Sequence, residues 1–517
     1  MNYLSHPRIA PGKIEEREYQ VSMAKGCLSG NTLIILPTGL GKTVIALYVA
    51  AYVLERGEKV LMVAPTKPLT DQHGTFFEEN LMLTKVGVIN GNTKPEMRTV
   101  MIRDYDLIVS TPQTVSNDLE NGRYDLEDFG LIIYDEAHRG TGNYAYVTVA
   151  EHCGDHILSM GMTASPGSDL NRIEEICKNL NFTRIDVRGD DDPDVSPYVF
   201  DTYVKRVEVS MPKDLIDIIS LLQSMLDHYV IELTNLSLFN SNWPPSTKHL
   251  LVVGETLQRR LARGEKTSIV FRGLTVQAIC IKLLHAISLA ETQGMSALRS
   301  YLLKIDSDSK KVSASKGTKE LVNMKEYKDV VQITISSPVE HPKISRVMSI
   351  VSRALNSTEN SKVIVFSQYR DTCDMLVEKL STIPAARVGK LIGQSKGGLK
   401  QKEQIQILDD FHSGKCNVVV STSVGEEGLD IASTNSVVFY EPVPSEIRTI
   451  QRRGRTGRKS DGEVYVLVAK GTIDEVFERS SKKKEELMRT RLDGLSRTLK
   501  NRIPSKKDNG QTRLVDF

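Results

Sequence analysis

Eight residues, "LPTGLGKT" at positions 36–43, carry the clearest chemistry in the sequence. They follow an apolar run, "TLII", and precede the helical pattern "VIALYVAAYVLERG". Gly39 and Gly41 let the backbone wrap closely and aim N–H groups at phosphate oxygens, and the helix that follows adds its positive dipole end. In this loop Lys42 is expected to reach the β- and γ-phosphates of ATP and Thr43 to hold Mg²⁺. Leu36, Pro37, Thr38 and Leu40 complete the candidate ATP-binding loop. The strict pattern has Gly at the position of Leu36, so this is a looser variant of the same design. A second stretch, "LIIYDEAHR", ends an apolar run with Asp135 and Glu136. There Asp135 is expected to hold Mg²⁺, directly or through water, and Glu136 to polarise the attacking water. A third, "QRRGRTGR", holds Gln451, Arg455 and Arg458, and its guanidinium groups suit a loop-helix projecting across a cleft toward a γ-phosphate.

These groups need elements to position them. Between residues 31 and 200, short apolar runs ("TLIILPTG", "VLMVAPT", "YDLIVSTP", "LIIYDEAH", "ILSMGMTAS") alternate with helical stretches. Nearly continuous apolar runs suit parallel strands covered on both faces. Residues 361–470 repeat the style with "KVIVFSQY", "NVVVSTS", "SVVFYEP" and "EVYVLVAK". The expectation is an α/β protein with two lobes built on parallel sheets, each motif at the C-terminal edge of its sheet. From about Pro212 to Pro342 the apolar spacing is helical, and "DSDSKKVSASKGTKE" reads as an exposed loop. The expected division is a first lobe at 1–205, a helical insertion at 206–342 and a second lobe with a charged C-terminal helix at 343–495. A disordered basic tail at 496–517 completes it.

Composition bounds the function classes. Hydrophobic residues make up 40% and charged residues 26% of 517, the profile of a globular chain of several domains. Net charge is +2, but residues 241–330 hold 15 Lys/Arg against 8 Asp/Glu, and residues 481–513 hold 11 against 4. Two basic zones on a balanced chain point to a polyanionic partner with a defined path. The six cysteines form no C-x-x-C pair, so neither a zinc site nor a disulfide framework is expected. They read as reduced, mostly buried thiols of a cytoplasmic, nucleoid-associated protein. No signal-peptide pattern opens the chain and no uninterrupted run reaches 18 apolar residues, so no membrane partner is expected.

The three motifs together resemble those of superfamily 2 helicases, and further motifs follow in order. Gln20 in "EEREYQ" resembles the glutamine that reads adenine. "APTKPLTDQ" (Thr66, Lys67, Gln72) and "STPQT" (Thr111) resemble the strand-contacting motifs of the first lobe. "MTASP" (Thr163, Ser165) resembles the motif that links ATP to the strand, a coupling role to which His138 also belongs. "VFSQYRDT" (Ser367, Gln368) and "STSVGEEGLDI" (Thr422, Gly428, Asp430) resemble the second lobe's set. The resemblance covers residues 15 to about 480 and implies two RecA-like lobes, ATP and Mg²⁺ as cofactors, and ATP hydrolysis of the DEAH-box type.

Within the superfamily, "DEAHR", "STSVGEEGLDI", "QRRGRTGR" and the opening "YLSHPRIAPGKIEEREYQ" look like the Hef helicases of archaea, related to the Fanconi anaemia group M helicase. That resemblance implies a thumb-like helical insert that grips branched duplex, and an ATP-dependent helicase or translocase acting on forked DNA in fork repair and restart. Many Hef proteins continue into an XPF-type nuclease with an ERK-x-x-x-D signature, which this sequence lacks, so intrinsic nuclease activity is not expected. Two other readings stand beside it: an ATPase stimulated by double-stranded RNA, and a clamp-tethered scaffold that recruits a separate nuclease. The last residues, "GQTRLVDF", place Gln511, Leu514 and Phe517 in the pattern Q-x-x-[ILM]-x-x-[FY], which resembles the peptide that binds the sliding clamp PCNA. A 3₁₀ turn would bring Leu514 and Phe517 to one face.

Overall fold

A computed structural model of the chain describes residues 2–167, 169–189, 192–199, 202–357, 360–393, 398–422, 434–443 and 462–502. Among these, seven strands form the first sheet: β1 (Thr32–Ile35), β2 (Lys59–Val63), β3 (Val86–Ile89), β4 (Leu107–Ser110), β5 (Phe129–Asp135), β6 (Leu158–Thr163) and β7 (Arg184–Val187). They lie in the order β3-β4-β2-β5-β6-β1-β7, every pair parallel. Successive residues of a strand face opposite sides of a sheet. Accordingly Ile34, Val60, Met62, Ile133 and Met160 enter one core, and Leu33, Ile35, Leu61, Val63 and Ile132 the other. Apolar residues in unbroken runs are the consequence of covering both faces.

The second sheet holds β8 (Thr202–Val209), β9 (Val363–Phe366), β10 (Val388–Leu391), β11 (Val418–Ser421), β12 (Ser436–Phe439) and β13 (Gly462–Ala469), in the order β10-β11-β9-β12-β13-β8, again parallel. The two lobes are RecA-like. β8 corrects the expected boundary at 205/206, which cuts this strand. It pairs with β13 from Thr202↔Gly462 to Val209↔Ala469, so the second lobe's sheet begins before the insertion. Its sequence, "TYVKRVEV", belongs to an edge strand with Tyr203 and Val204 exposed, and lacks the continuous apolar signal of its neighbours.

Between β8 and β9 six helices form a bundle: Lys213–Asn235, Thr247–Ala262, Ser268–Thr292, Met295–Ser309, Lys316–Asn323 and Lys325–Ser336. The expected loop at "DSDSKKVSASKGTKE" is mostly helical, because Ser315 caps the next helix by accepting from Thr318 N. Ser268–Thr292 is long and apolar enough to cross a membrane by composition, yet Val276, Ile279, Cys280 and Leu283 are buried in the bundle core. Such a helix is apolar nearly all round because neighbouring helices surround it.

The end of that helix is the joint of the molecule. Lys343 Nζ lies 2.6 Å from Asp474 Oδ2, both side chains fully buried, and donates to Thr292 O at 3.1 Å. Gln293 Nε2 donates to Glu441 Oε2 at 3.3 Å, and Thr372 Oγ1 donates to Gln293 Oε1 at 2.7 Å. Asp474 opens the helix Ile473–Arg502, so the expected tail at 496 begins in helix rather than in irregular chain. Far along that helix, Met488 is buried in the core of the first lobe. One helix therefore touches all three parts.

A buried ion pair broken on one side leaves an uncompensated charge, at a cost of about 3–5 kcal/mol. Lys343→Met should lower the unfolding temperature measured by calorimetry. Adding Asp474→Leu to it should recover most of the loss.

Candidate functional site

The loop after β1 is shaped by two left-handed glycines, Gly39 at φ +90° and Gly41 at φ +76°. Gly41 also caps the helix Lys42–Glu55. A Cβ added at Gly41 would stand 2.4 Å from Gln20 Nε2, so the glycine is needed for both conformation and room. Gln20 lies on the helix Glu18–Leu28, and its Nε2 donates to Leu40 O at 3.0 Å. Tyr19 donates to the same oxygen at 2.7 Å. Lys42 Nζ donates to Leu36 O at 2.9 Å and Pro37 O at 3.3 Å, which keeps the ammonium within the loop. Gln20 Oε1 and Thr38 Oγ1 are buried with no hydrogen-bond partner among the described residues. Buried polar atoms are nearly always paired. Two orphans beside this loop fit a nucleotide that completes them.

Asp135 ends β5, the middle strand of the sheet, and is 7% exposed. Burial alone raises its pKa, but the hydrogen bond and charge of His73 and the charge of Lys42 outweigh it and hold the carboxyl below its ordinary value. His73 Nε2 is 2.9 Å from Asp135 Oδ2. Tyr146 donates to Asp135 O at 2.5 Å and to Val63 O at 3.2 Å, locking the ends of β5 and β2 together. Glu136 adopts φ 49°, ψ 49°. A left-handed conformation costs an ordinary residue about 1–2 kcal/mol, and here it turns the chain off the strand so that two successive carboxylates stand at one sheet edge. Of the sequence candidates, Thr43 and Asp135 can hold a divalent cation. Glu136, with Oε2 3.3 Å from His138 Nδ1, can orient a water.

A buried line of polar contacts leaves this edge. His138 Nδ1 is 3.1 Å from Thr163 Oγ1 at the end of β6. Thr163 Oγ1 donates to Ser165 O at 3.1 Å and accepts from Ser165 N at 3.2 Å. Ser165 Oγ then donates to Met488 Sδ at 2.9 Å, on the helix that starts in the second lobe.

The candidate strand-contacting residues stand at the same edges. Thr66 caps the helix Lys67–Asn80, Lys67 Nζ donates to Asn92 Oδ1 at 2.9 Å, and Gln72 is exposed. Thr111 is buried, its hydroxyl 2.8 Å from that of Thr114. Ser367 follows β9 and is buried, donating to Glu441 Oε2 at 3.2 Å, so of that pair Gln368 faces solvent while its backbone N–H is held by Glu441 Oε1. Thr422 follows β11 and is buried. Gly428, Asp430, Gln451, Arg455, Arg458, Gln511, Leu514 and Phe517 lie outside the described residues. The sequence reading missed His73, Tyr146 and Glu441. His73 stood one place beyond the quoted motif, and Glu441 was legible only as the end of a strand.

Three family models match the chain: "Type III restriction enzyme, res subunit" at residues 13–168, the helical bundle of an ATP-dependent RNA helicase family at 214–341, and "Helicase conserved C-terminal domain" at 343–460. The crystal structure of the Pyrococcus furiosus Hef helicase domain is 41% identical, with TM-score 0.68, covering 90% of this chain and 98% of that one. A Methanocaldococcus jannaschii protein named an ATP-dependent RNA helicase is 36% identical over 97% of this chain and 64% of its own length. The ATP-dependent DNA helicase mph1 of Neurospora crassa is 30% identical over 95% and 44%, and the mouse Fanconi anemia group M protein homolog 29% over 93% and 26%. The chain thus spans about a quarter to two thirds of the length of these curated relatives.

Proposed function

The chain belongs to the Hef helicase family, and from that premise we propose that it is an ATP-dependent DNA helicase or translocase acting on forked or branched DNA. The observation that carries the proposal is the buried path from His138, beside Glu136, through Thr163 and Ser165 to the helix that starts in the second lobe. A plain ATPase has no need to wire its catalytic edge to a second lobe.

Roles follow from position. Gln20 reads the base, Lys42 and the loop amides hold the phosphates, and Thr43 and Asp135 hold Mg²⁺. Glu136 orients the attacking water. Gln451, Arg455 and Arg458 come from the second lobe to meet the developing charge, with Gly428 and Asp430 in the coupling set. Bound Mg²⁺-ATP supplies the phosphoanhydride bond whose cleavage drives the cycle. Thr66, Lys67, Gln72 and Gln368, with the buried Thr111, Ser367 and Thr422 shaping their loops, grip phosphates of one strand, giving little sequence preference and a steep salt dependence. The basic bundle meets the duplex arm at the junction. Gln511, Leu514 and Phe517 dock on the sliding clamp PCNA, which would place the enzyme at replicating DNA beside a separate XPF-type nuclease. Support for this last part is the sequence pattern. A 501–517 peptide should bind the clamp in a calorimetric titration, and a Leu514→Ala, Phe517→Ala peptide should not; equal binding by both, or by neither, removes the clamp from the proposal.

The name of the Methanocaldococcus relative and the description of the helical-bundle family favour the second reading, an ATPase stimulated by duplex RNA. ATP hydrolysis measured with forked DNA, linear duplex DNA and duplex RNA separates them. We expect the fork to stimulate most, and Lys42→Ala and Asp135→Ala each to abolish hydrolysis while leaving fork binding in place. Stimulation by duplex RNA with none by forks would reverse the assignment.

A further inference from the structure

Asp135 is held by a residue on another element. His73 is 5% exposed and its Nε2 lies 2.9 Å from Asp135 Oδ2. An ionised carboxylate is an acceptor, so Nε2 of His73 carries a proton and donates it to Asp135 Oδ2. The bond engages Oδ2, and the carboxylate also accepts a hydrogen bond from the backbone of Glu136. Hydrogen bonds of this kind fix the rotamer of a ligating carboxylate.

The position of His73 in the fold gives the bond a second meaning. It stands in the second turn of the helix Lys67–Asn80, whose cap and first residues are Thr66 and Lys67, and it directly follows the exposed Gln72. Successive residues on a helix point about 100° apart, so one turn presents Gln72 outward and His73 into the sheet edge. The next residue, Gly74, seats the helix tightly: a Cβ there would stand 2.3 Å from Val88 Cγ2 of β3. A helix so close to the sheet has little freedom to slide, and a small shift at its N-terminal end is felt at the imidazole.

We propose that His73 is a positioning residue for Asp135, through which the helix that grips the nucleic-acid strand sets the carboxylate that holds the metal. His73 touches neither substrate nor cation; it acts through the carboxylate. This rests on the reading of Asp135 as a Mg²⁺ ligand, and the two can fail separately.

The test uses the full chain with Mn²⁺ as a spectroscopic substitute, its binding followed by electron paramagnetic resonance in the presence of a non-hydrolysable ATP analogue. His73→Ala should weaken Mn²⁺ binding by about 10–100-fold, the usual loss on removing such a partner. It should also lose most of the stimulation of ATP hydrolysis by forked DNA. His73→Gln, whose amide can place an N–H near the same point, should restore both. Its recovery also covers the case in which the alanine variant folds poorly. Wild-type Mn²⁺ binding in His73→Ala, or His73→Gln as weak as a folded His73→Ala, overturns the proposal. Wild-type Mn²⁺ binding in Asp135→Ala would instead overturn the reading on which it rests.

Discussion

A charged carboxylate at the end of a buried central strand is the constraint around which the first lobe is arranged. Removing a carboxylate from water is costly unless donors and a nearby positive charge replace the lost hydration. For Asp135 these are the His73 imidazole, 2.9 Å away, and the charge of Lys42. Each comes from a different segment, and each segment must therefore end at the same edge of the sheet. The parallel order β3-β4-β2-β5-β6-β1-β7 does this, because all seven strands deliver their C-terminal ends to one side. The left-handed turn at Glu136 and the Tyr146 hydroxyl, shared between Asp135 O and Val63 O, hold that edge in place.

The same logic explains the second lobe and its attachments. Glu441, buried after β12, plays a comparable organising part there. It accepts from Ser367, from the backbone of Gln368 and from Gln293 of the helical bundle. The loop that follows β9 and the end of the bundle's longest helix are thereby joined through one carboxylate. The Lys343–Asp474 pair roots the C-terminal helix at the same joint, and Met488 carries that helix back to Ser165. The bundle and the second lobe's loop thus share one set of buried polar contacts, and the helix Ile473–Arg502 rooted there reaches Ser165 of the first lobe.

Much of this was legible in the sequence, for definable reasons. The phosphate loop is written in residues that few other structures require, with glycine where φ must be positive and lysine at the helix start. Fully buried parallel strands announce themselves as unbroken apolar runs. What escaped notice lacked such marks. β8 is a half-exposed edge strand separated from its partner β13 by the whole insertion, and β3 ("VGVI") is four residues long. The segment after Ile305 is rich in Ser, Asp and Lys, a loop composition, yet the helix continues to Ser309 and caps drive the next. His73 was hidden because a histidine in a helix carries no signature until the partner carboxylate, 62 positions away, is seen beside it.

Under the proposed role of His73, gripping the strand and setting the metal ligand are one event, transmitted through the helix Lys67–Asn80. Hydrogen–deuterium exchange of the full chain, with and without forked DNA and in the absence of nucleotide, tests it most directly. DNA should slow exchange in residues 66–76 and, with no nucleotide bound, also at the turn 136–141 that carries Glu136 and His138. Protection confined to residues 66–76, with the turn unchanged, would contradict it.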